Sequence, residues 1–315
     1  MTAGARIDPA AVRRTLKAAG LRARHALSQN FLADVDVLEA ILGEASPAPG
    51  RAVLEVGPGL GFLTRGLLDG GAAVTAVELD RGLAGFLRLE FEPEIEAGRL
   101  RLIEGDALDQ DLTRLVDTPY EVVANLPYHI TSPILHRVLG ETPRPDRLVL
   151  MVQREVAERI AAPPGRMSYL SVFVQYHAKV RIAFTVPGAA FEPEPAVDSA
   201  VIVVEPYPGD DRLPNAEAED ALWRLVQAGF RERRKMLHNV LARQLPVEPA
   251  RVAAALETAG IDPDRRPQTV AVGEWLALLA AIGEIGEDNR GRRRDRGAPD
   301  PRETDGTPDR SDVDR

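Results

Sequence analysis

The strongest indication of how this chain folds is the stretch Val53-Leu54-Glu55-Val56-Gly57-Pro58-Gly59-Leu60-Gly61-Phe62-Leu63-Thr64. It begins as a short apolar strand and ends as the start of a helix, so its glycines occupy the turn between them. Glycines let a backbone approach a ligand closely, and a helix N-terminus presents unpaired N–H groups. The spacing Gly-x-Gly-x-Gly differs from the Gly-x-Gly-x-x-Gly of sites that bind a pyrophosphate. We predict a ligand site without pyrophosphate, and the alternative is a tight turn that binds nothing.

Strand and helix patterns alternate on both sides of this turn, which is typical of a doubly wound α/β sheet. Seven strands are predicted, at residues 52–56, 73–78, 100–104, 120–124, 147–152, 180–186 and 200–205. Residues 206–214 are rich in Pro, Gly and Asp and predict a linker. Helices are predicted after it, at residues 216–230, 231–244, 250–259 and 270–282, with Trp223 and Trp275 in their shared core. The sequence therefore predicts a Rossmann-like seven-stranded sheet followed by a small all-α C-terminal domain.

Length and composition exclude several classes of protein. The chain has 315 residues, and no apolar run reaches the roughly 20 residues that a membrane span needs. The N-terminus has no apolar segment typical of a signal peptide, so we expect a soluble, cytoplasmic protein without membrane contact. The absence of cysteine excludes disulfides, thiolate zinc sites and cysteine nucleophiles. The five histidines lack metal-binding spacing, and we expect no metal.

Charge is distributed unevenly along the chain. The formal net charge is −9 at pH 7, of which residues 1–32 carry +5, residues 33–286 carry −13 and residues 287–315 carry −1. A second basic region, called here the basic cluster, consists of Arg231, Arg233, Arg234 and Lys235 and falls in a predicted helix. Either region can meet nucleic-acid phosphates despite the acidic body of the protein. The alternative is that both are solvated faces.

Two carboxylates complete a predicted adenosine pocket beside the glycine turn. Glu78 ends the second strand, 21 positions after Gly57, where a carboxylate can accept hydrogen bonds from both ribose hydroxyls. Asp106 follows the third strand, where its side chain can hold the adenine amino group. With Gly57 and Gly59 these residues predict a pocket for S-adenosylmethionine, which contains adenosine but no pyrophosphate.

The motif Asn125-Leu126-Pro127-Tyr128 suits the activation of an exocyclic amine. Such an amine is a weak nucleophile because its lone pair is delocalised into the base. The Asn125 amide oxygen and the Leu126 carbonyl can both accept from the NH2 group and free that lone pair. Pro127 stiffens the turn, and Tyr128 offers a face on which the base can stack. An ordinary turn at a strand end is the alternative, but the motif ends a predicted strand, where open α/β sheets bind ligands.

With these elements in this order, the chain resembles class I methyltransferases that act on exocyclic amines. More specifically, it resembles the small-subunit (16S) ribosomal RNA adenine N6,N6-dimethyltransferases. Three further segments match that family: Gln29-Asn30-Phe31-Leu32, the stretch at residues 191–200 that begins Phe191-Glu192-Pro193, and the stretch Phe230-Arg231-Glu232-Arg233-Arg234-Lys235-Met236-Leu237-His238-Asn239. The resemblance covers about residues 21–282.

The resemblance implies roles for individual residues. Asn30 and Leu32 close over the methionine and ribose parts of the cofactor, and Gly57 lines the methionine side. Asn125 belongs to both the cofactor and the target pocket. Phe191 forms a second aromatic wall opposite Tyr128, so that a flipped adenine lies between two rings.

The resemblance also implies a domain organisation. Residues 21–205 form the methyltransferase domain, residues 206–214 the linker, and residues 215–285 a helical RNA-binding domain. Residues 1–20 are an extension without a counterpart in the family. Residues 286–315 are rich in charge, Pro and Gly, which predicts disorder.

The implied activity is methyl transfer from S-adenosylmethionine to N6 of two adjacent adenosines. They lie in a 3′-terminal hairpin loop of 16S rRNA, and the substrate is the 30S particle or its precursor during ribosome biogenesis. We expect a monomer. The alternatives are a 23S rRNA adenine N6-methyltransferase of the macrolide-resistance type, a nucleotide-binding oxidoreductase, and a non-catalytic assembly or transcription factor on the same fold.

Overall fold

The computed structural model describes residues 7–24, 29–209 and 213–285. Nine strands occur in this part of the chain: β1 Phe31–Leu32, β2 Ala52–Val56, β3 Ala73–Glu78, β4 Leu100–Glu104, β5 Tyr120–Asn125, β6 Arg147–Gln153, β7 Ala178–Val186, β8 Phe191–Glu192 and β9 Ser199–Pro206. Seven of them form one sheet in the order β4-β3-β2-β5-β6-β9-β7. The five strands from β4 to β6 are parallel, and β9 is antiparallel to both of its neighbours. All seven predicted strands are confirmed.

The chain order places a crevice beside β2. Strands β3 and β4 lie on one side of β2 in the sheet, and β5 and β6 lie on the other side. The connections after β2 and β5 therefore leave in opposite directions, and a gap opens at the carboxyl ends of these two strands. This gap lies at both the glycine turn and the motif at residues 125–128.

Helices cover both faces of the sheet. They are α1 Pro9–Ala18, α2 Val35–Ala45, α3 Phe62–Asp69, α4 Arg81–Glu90, α5 Glu92–Glu96, α6 Thr131–Gly140, α7 Arg154–Ile160 and α8 Tyr169–His177. Successive strand residues point to opposite faces, so Val53 and Leu54 join two different apolar clusters. Asp80 begins α4, because its carboxylate accepts from the backbone N–H groups of Gly82 and Leu83.

A short antiparallel ladder, unpredicted from the sequence, joins β1 to β8. Phe31 pairs with Glu192 and Leu32 with Phe191. The Ala33 N–H extends the ladder by donating to the Ala190 carbonyl at 2.7 Å. The ladder brings two distant segments of the family resemblance together, residues 29–32 and the stretch that begins at Phe191.

The C-terminal part is helical, as predicted. It contains α9 Ala216–Phe230, α10 Leu237–Gln244, α11 Pro249–Thr258 and α12 Val272–Ile282. The prediction of a helix over residues 231–244 is wrong at its start, because residues 231–235 form a turn. The five residues between Phe230 and Met236 are all charged, so a helical continuation would bury no apolar surface. The Arg231 N–H instead closes α9 by donating to the Gln227 and Ala228 carbonyls.

The two tryptophans both pack in the core of the helical domain, as predicted, and Trp223 also packs against the core of the sheet domain. Trp275 is fully buried in the helical domain, with its ring centroid 6.1 Å from that of Phe230. Trp223 is only partly buried and contacts aromatic rings of α8, including Phe173 and Tyr176. It therefore packs at the boundary between the two domains.

The predicted extension at the N-terminus is in part folded against the sheet domain. Within the predicted extension at residues 1–20, helix α1 is folded against the sheet domain, with Val12 and Leu16 in its apolar core. The linker at 206–214 is described except for residues 210–212, and the predicted disorder at 286–315 lies outside the described residues. None of the helices in the described part of the chain has the length and apolarity of a membrane span.

Candidate functional site

A deep cleft opens at the carboxyl ends of β2, β3 and β5. Its space, including the open mouth, is about 1170 Å3. Its lining includes these predicted site residues: Asn30, Leu32, Gly57, Gly59, Glu78, Asp106, Asn125, Leu126, Pro127 and Tyr128. The structure therefore brings the predicted cofactor residues and the predicted target motif into one cavity.

The glycine turn lies against the motif at residues 125–128. Gly57 has φ +71°, a left-handed conformation that side chains disfavour. A Cβ atom at Gly57 would lie 3.4 Å from Cδ of Pro127. The Gly57 N–H also donates to the Val77 carbonyl at 2.9 Å. The positive φ, rather than a lack of space, therefore favours glycine at this position.

Glu78 is fixed by backbone donors and buried at the cleft. Its side chain accepts from the Asp80 N–H at 2.8 Å through one oxygen and from the Gly59 N–H at 3.1 Å through the other. Burial raises the pKa of Glu78 above its usual range, and the two backbone hydrogen bonds oppose that rise. Each carboxylate oxygen keeps a further lone pair, so the side chain can still accept from a pair of hydroxyls.

Asp106 presents an acceptor to the same cleft. One of its carboxylate oxygens accepts from the Leu108 N–H at 2.8 Å, which orients the side chain. The other oxygen has no hydrogen-bond partner within the described ranges and can accept from an amino group. The contact of Asp106 with adenine stays a prediction.

Asn125 and Leu126 place two acceptors at the end of β5. Asn125 is in register with Met151 of β6, and the Leu126 N–H donates to the Met151 carbonyl at 3.1 Å. The Leu126 side chain is buried, which fixes the direction of its backbone. Among the described residues, none donates a hydrogen bond to the Asn125 amide oxygen or to the Leu126 carbonyl.

Tyr128 is anchored by a residue that the sequence did not indicate as functional. Its hydroxyl lies 2.8 Å from Oγ of Ser199, the first residue of β9, which is fully buried. Burial raises the pKa of the Tyr128 hydroxyl, which therefore stays protonated. Ser199 belongs to the stretch at residues 191–200, but its type alone gave no sign of this contact.

Phe191 does not lie on the wall opposite Tyr128. Its side chain is 2% exposed and packs in the apolar core beside the β1–β8 ladder, outside the lining of the cleft. The pairing with Leu32 holds its strand in place. A stacking role for Phe191 requires this segment to move.

A buried acid at the bottom of the cleft was missed in the sequence. Glu55 is 1% exposed, and burial raises the pKa of its carboxyl to about 8, against the opposing effect of a hydrogen bond from Thr64. The Thr64 hydroxyl donates to it at 2.7 Å. An acidic residue in the centre of the apolar strand at 52–56 was the available signal.

The basic cluster lies away from the cleft lining, in the turn between α9 and α10. All four of its side chains are at least partly exposed, and Arg231 donates to the Gln244 amide at 3.1 Å. Arg233 and Arg234 form no ion pair with any described residue. Residues 7–24, 29–209 and 213–285 contain no group of three or more side chains that could hold a metal ion.

Known proteins resemble this chain over most of its length. A sequence model of the family described as ribosomal RNA adenine dimethylase matches residues 20–283. The protein named ribosomal RNA small subunit methyltransferase A from Thermosynechococcus vestitus is 42% identical over 272 residues, covering 84% of this chain and 98% of its own. The protein of the same name from Anaeromyxobacter sp. strain K is 44% identical over 277 residues, which cover 84% of this chain and 94% of that protein.

Solved structures share the fold. The crystal structure of the 23S rRNA methyltransferase ErmE has a TM-score of 0.64 and 29% identity, over 81% of this chain and all of that one. A dimethyladenosine transferase from Plasmodium falciparum has a TM-score of 0.68 at 24% identity, over 81% and 99% of the two chains, which shows the fold alone. Since the family model and relatives above 40% identity span the cleft and the helical domain together, the chain belongs to the ribosomal RNA adenine dimethylase family.

Proposed function

We propose that this protein transfers methyl groups from S-adenosylmethionine to N6 of two adjacent adenosines in a 3′-terminal hairpin loop of 16S rRNA. Membership of the family makes it an enzyme that dimethylates adenine in ribosomal RNA. The observation that carries the proposal is the pair of acceptors at Asn125 and Leu126, which receive no hydrogen bond from any described residue and open into the same cleft as the Glu78 carboxylate.

The cofactor half of the cleft fits S-adenosylmethionine. Glu78 can accept from the two ribose hydroxyls, and the Asp106 oxygen that has no partner among the described residues can accept from the adenine amino group. The glycine turn at residues 57–61 allows close approach to the methionine end. Asn30, just before β1, and Leu32, within β1, both line the cleft, where they can cover the bound cofactor.

The target half of the cleft activates the amine. Bound S-adenosylmethionine supplies a methyl group made electrophilic by its sulfonium. The Asn125 amide oxygen and the Leu126 carbonyl accept from the two N–H groups of the adenine amine, so its lone pair points along the line of attack. These fixed acceptors also face the positive charge that grows on nitrogen as the N–C bond would form and the C–S bond would break. The leaving group would be a neutral thioether, and the methylated nitrogen would release one proton to solvent. Tyr128, held through Ser199, gives the base a stacking surface worth roughly 1–3 kcal/mol.

The small-subunit substrate is favoured over the 23S alternative by the relatives. Identity reaches 42–44% with proteins named for the small subunit, against 29% for the 23S methyltransferase of known structure. We place the reaction in the cytoplasm, on the 30S particle or its precursor, with the enzyme as a monomer. The exposed basic cluster of the helical domain provides contacts for RNA phosphates.

The test is methylation of 30S particles purified from cells that lack the modification. The protein is incubated with these particles and S-adenosylmethionine, and the RNA nucleosides are analysed by mass spectrometry. We expect N6,N6-dimethyladenosine at two adjacent positions and no product on 50S particles. Product confined to large-subunit RNA, or to cytosine, would overturn the assignment.

Asn125→Ala is the variant that tests the amine activation. Turnover should be abolished, because one of the two acceptors for the amine is removed, while most RNA affinity remains since phosphate contacts dominate binding. Turnover within tenfold of wild type, measured on the same particles, contradicts the proposed role of Asn125.

A further inference from the structure

The N-terminal helix α1 lies outside the region matched by the family model, yet it contacts β8, the strand that pairs with β1 of the cleft. It packs against β8 through a face that includes the buried Val12 and Leu16. Arg13 forms an ion pair at 2.6 Å with Glu192 of the same strand. Because β8 pairs with β1, and β1 lines the cleft, α1 is one strand removed from the cleft wall.

The segment after α1 continues along the same rim. The Leu21 N–H donates to the Leu16 carbonyl at 2.8 Å, and Arg24 forms an ion pair at 3.1 Å with the buried Asp80. Asp80 is two residues beyond Glu78 and bonds the backbone N–H groups that begin α4. Residues 7–24 are thereby attached at two points next to the cofactor end of the cleft.

Three positive charges on this region remain uncommitted. Within residues 7–24 there are five basic side chains and a single acid, Asp8, which is engaged in capping α1. Arg13 and Arg24 are used in the ion pairs that seat the segment. The others, Arg14, Lys17 and Arg22, are exposed and form no ion pair with any residue that the structure describes. Arg14 and Lys17 are three positions apart on one helix, so they share a face.

We propose that Arg14, Lys17 and Arg22 form a second phosphate-binding surface, which holds the RNA backbone next to the nucleotide that enters the cleft. This inference rests on the proposed function, because it supplies contacts for the same RNA. Charge complementarity favours RNA as the occupant: the whole chain carries −9, whereas these three positive charges lie on a segment attached to β8 and to Asp80, next to the cleft lining. The basic cluster then holds the substrate from the helical domain, and α1 holds it near the reacting base.

The test compares the full-length protein with Arg14→Gln/Lys17→Gln in binding to 30S particles from cells that lack the modification, as salt is raised. The slope of log affinity against log salt should fall by about 0.7–0.9 for each phosphate that the variant no longer neutralises. The KM for the particles should rise while kcat and the affinity for S-adenosylmethionine stay the same. The matched control is Arg101→Gln/Lys179→Gln, which removes two exposed charges near the amino ends of β4 and β7. The cleft lies at the opposite, carboxyl ends of the strands.

The possible outcomes separate this inference from the proposed function. If the wild type does not methylate the particles, the proposed function fails regardless of the variants. If the wild type does methylate the particles, two results would show that the surface does not bind RNA. One is a wild-type salt slope in the α1 variant, and the other is an equal loss of slope in the control variant. Loss of binding to anionic phospholipid vesicles with an unchanged RNA slope would assign this face to a membrane and would also overturn the proposal.

Discussion

Glu78 combines two tasks at a single carboxylate, since it orders the glycine turn and faces the ribose end of the proposed cofactor site. We predict that Glu78→Ala weakens S-adenosylmethionine binding by roughly 1.5–3 kcal/mol, the range for hydrogen bonds to a charged group. Isothermal titration calorimetry measures the change. Thermal unfolding should also show a loss of stability, because the Gly59 and Asp80 N–H groups lose their acceptor, but this loss should be smaller than the loss of binding free energy.

Glu104 provides a matched control for Glu78. It is in register with Glu78 on the neighbouring strand β4, but its carboxylate points to Arg81 and Arg88 at the surface and lies outside the cleft lining. Glu104→Ala should leave the dissociation constant of S-adenosylmethionine unchanged. An unchanged constant in Glu78→Ala as well would remove Glu78 from the ribose site.

Glu55 should make stability depend on pH. Its pKa is about 8 in the folded protein and 4.5 when unperturbed, so between these values the folded state holds a proton that the unfolded state releases. The free energy of unfolding therefore falls as pH rises through this window, by up to about 1.4 kcal/mol per pH unit. Glu55→Gln keeps an acceptor for Thr64 and removes the titration. We predict that its melting temperature, relative to wild type, increases from pH 5 to pH 8 in calorimetry; parallel curves would contradict the assignment.

The polar residues of the site could be predicted to different degrees. Glu78, Asp106 and Asn125 each lie at or just after the end of an apolar strand, and the carboxyl ends of parallel strands meet at one edge, so their convergence follows from the sequence. Glu55 was missed because its strand reads as apolar and its burial depends on packing from α3. The burial of Phe191 depends on pairing with β1, which no local pattern encodes.

Elements were predictable where local pattern and tertiary packing agree. The main strands of the sheet are found within two residues of their predicted ends, because buried parallel strands appear as short apolar runs. The two-residue strands β1 and β8 are too short for any periodicity. The basic cluster was predicted as helix because its residues favour helices. The segment has no apolar side chain that could pack a helix against the rest of the domain.

The turn at residues 231–235 gives the basic cluster its shape. A turn after α9 presents Arg233 and Arg234 on an exposed surface rather than around a helix. We predict that Arg233→Glu/Arg234→Glu weakens binding to 30S particles and lowers the salt slope by about 0.7–0.9 for each phosphate left without its cation. The slope is measured by titrating labelled particles at several salt concentrations.

The control for this prediction is the same charge reversal at Arg101 and Lys179, outside both basic surfaces. That variant should show the wild-type slope, and neither variant should change cofactor affinity. If Arg233→Glu/Arg234→Glu also shows the wild-type slope, the basic cluster is a solvated face.

The two domains are joined by more than their linker. Trp223 of α9 has its ring centroid 5.1 Å from those of both Phe173 and Tyr176, and 6.1 Å from that of Tyr169. The Gly165 and Met167 N–H groups donate to the Gln268 carbonyl of the helical domain at 2.8 and 3.1 Å. Aromatic pairs of this kind contribute about 0.5–1.5 kcal/mol beyond their buried area. This interface fixes the position of the basic cluster relative to the cleft, as the proposed delivery of RNA to Asn125 requires.

Cooperative unfolding is the consequence for the whole molecule. The wild type should unfold in one calorimetric transition, because separating the domains exposes the rings around Trp223. Trp223→Ala should cost less than the roughly 3–5 kcal/mol typical of a fully buried tryptophan, because Trp223 is only partly buried, and it should split unfolding into two transitions. It should also raise the KM for 30S particles while S-adenosylmethionine affinity stays constant, since the cofactor pocket lies entirely in the sheet domain. Leu89→Ala, at a side chain 79% exposed on α4, is the control and should change stability by less than about 0.5 kcal/mol. A single transition shifted as a whole in Trp223→Ala would mean that the hydrogen bonds to Gln268 are sufficient to couple the domains.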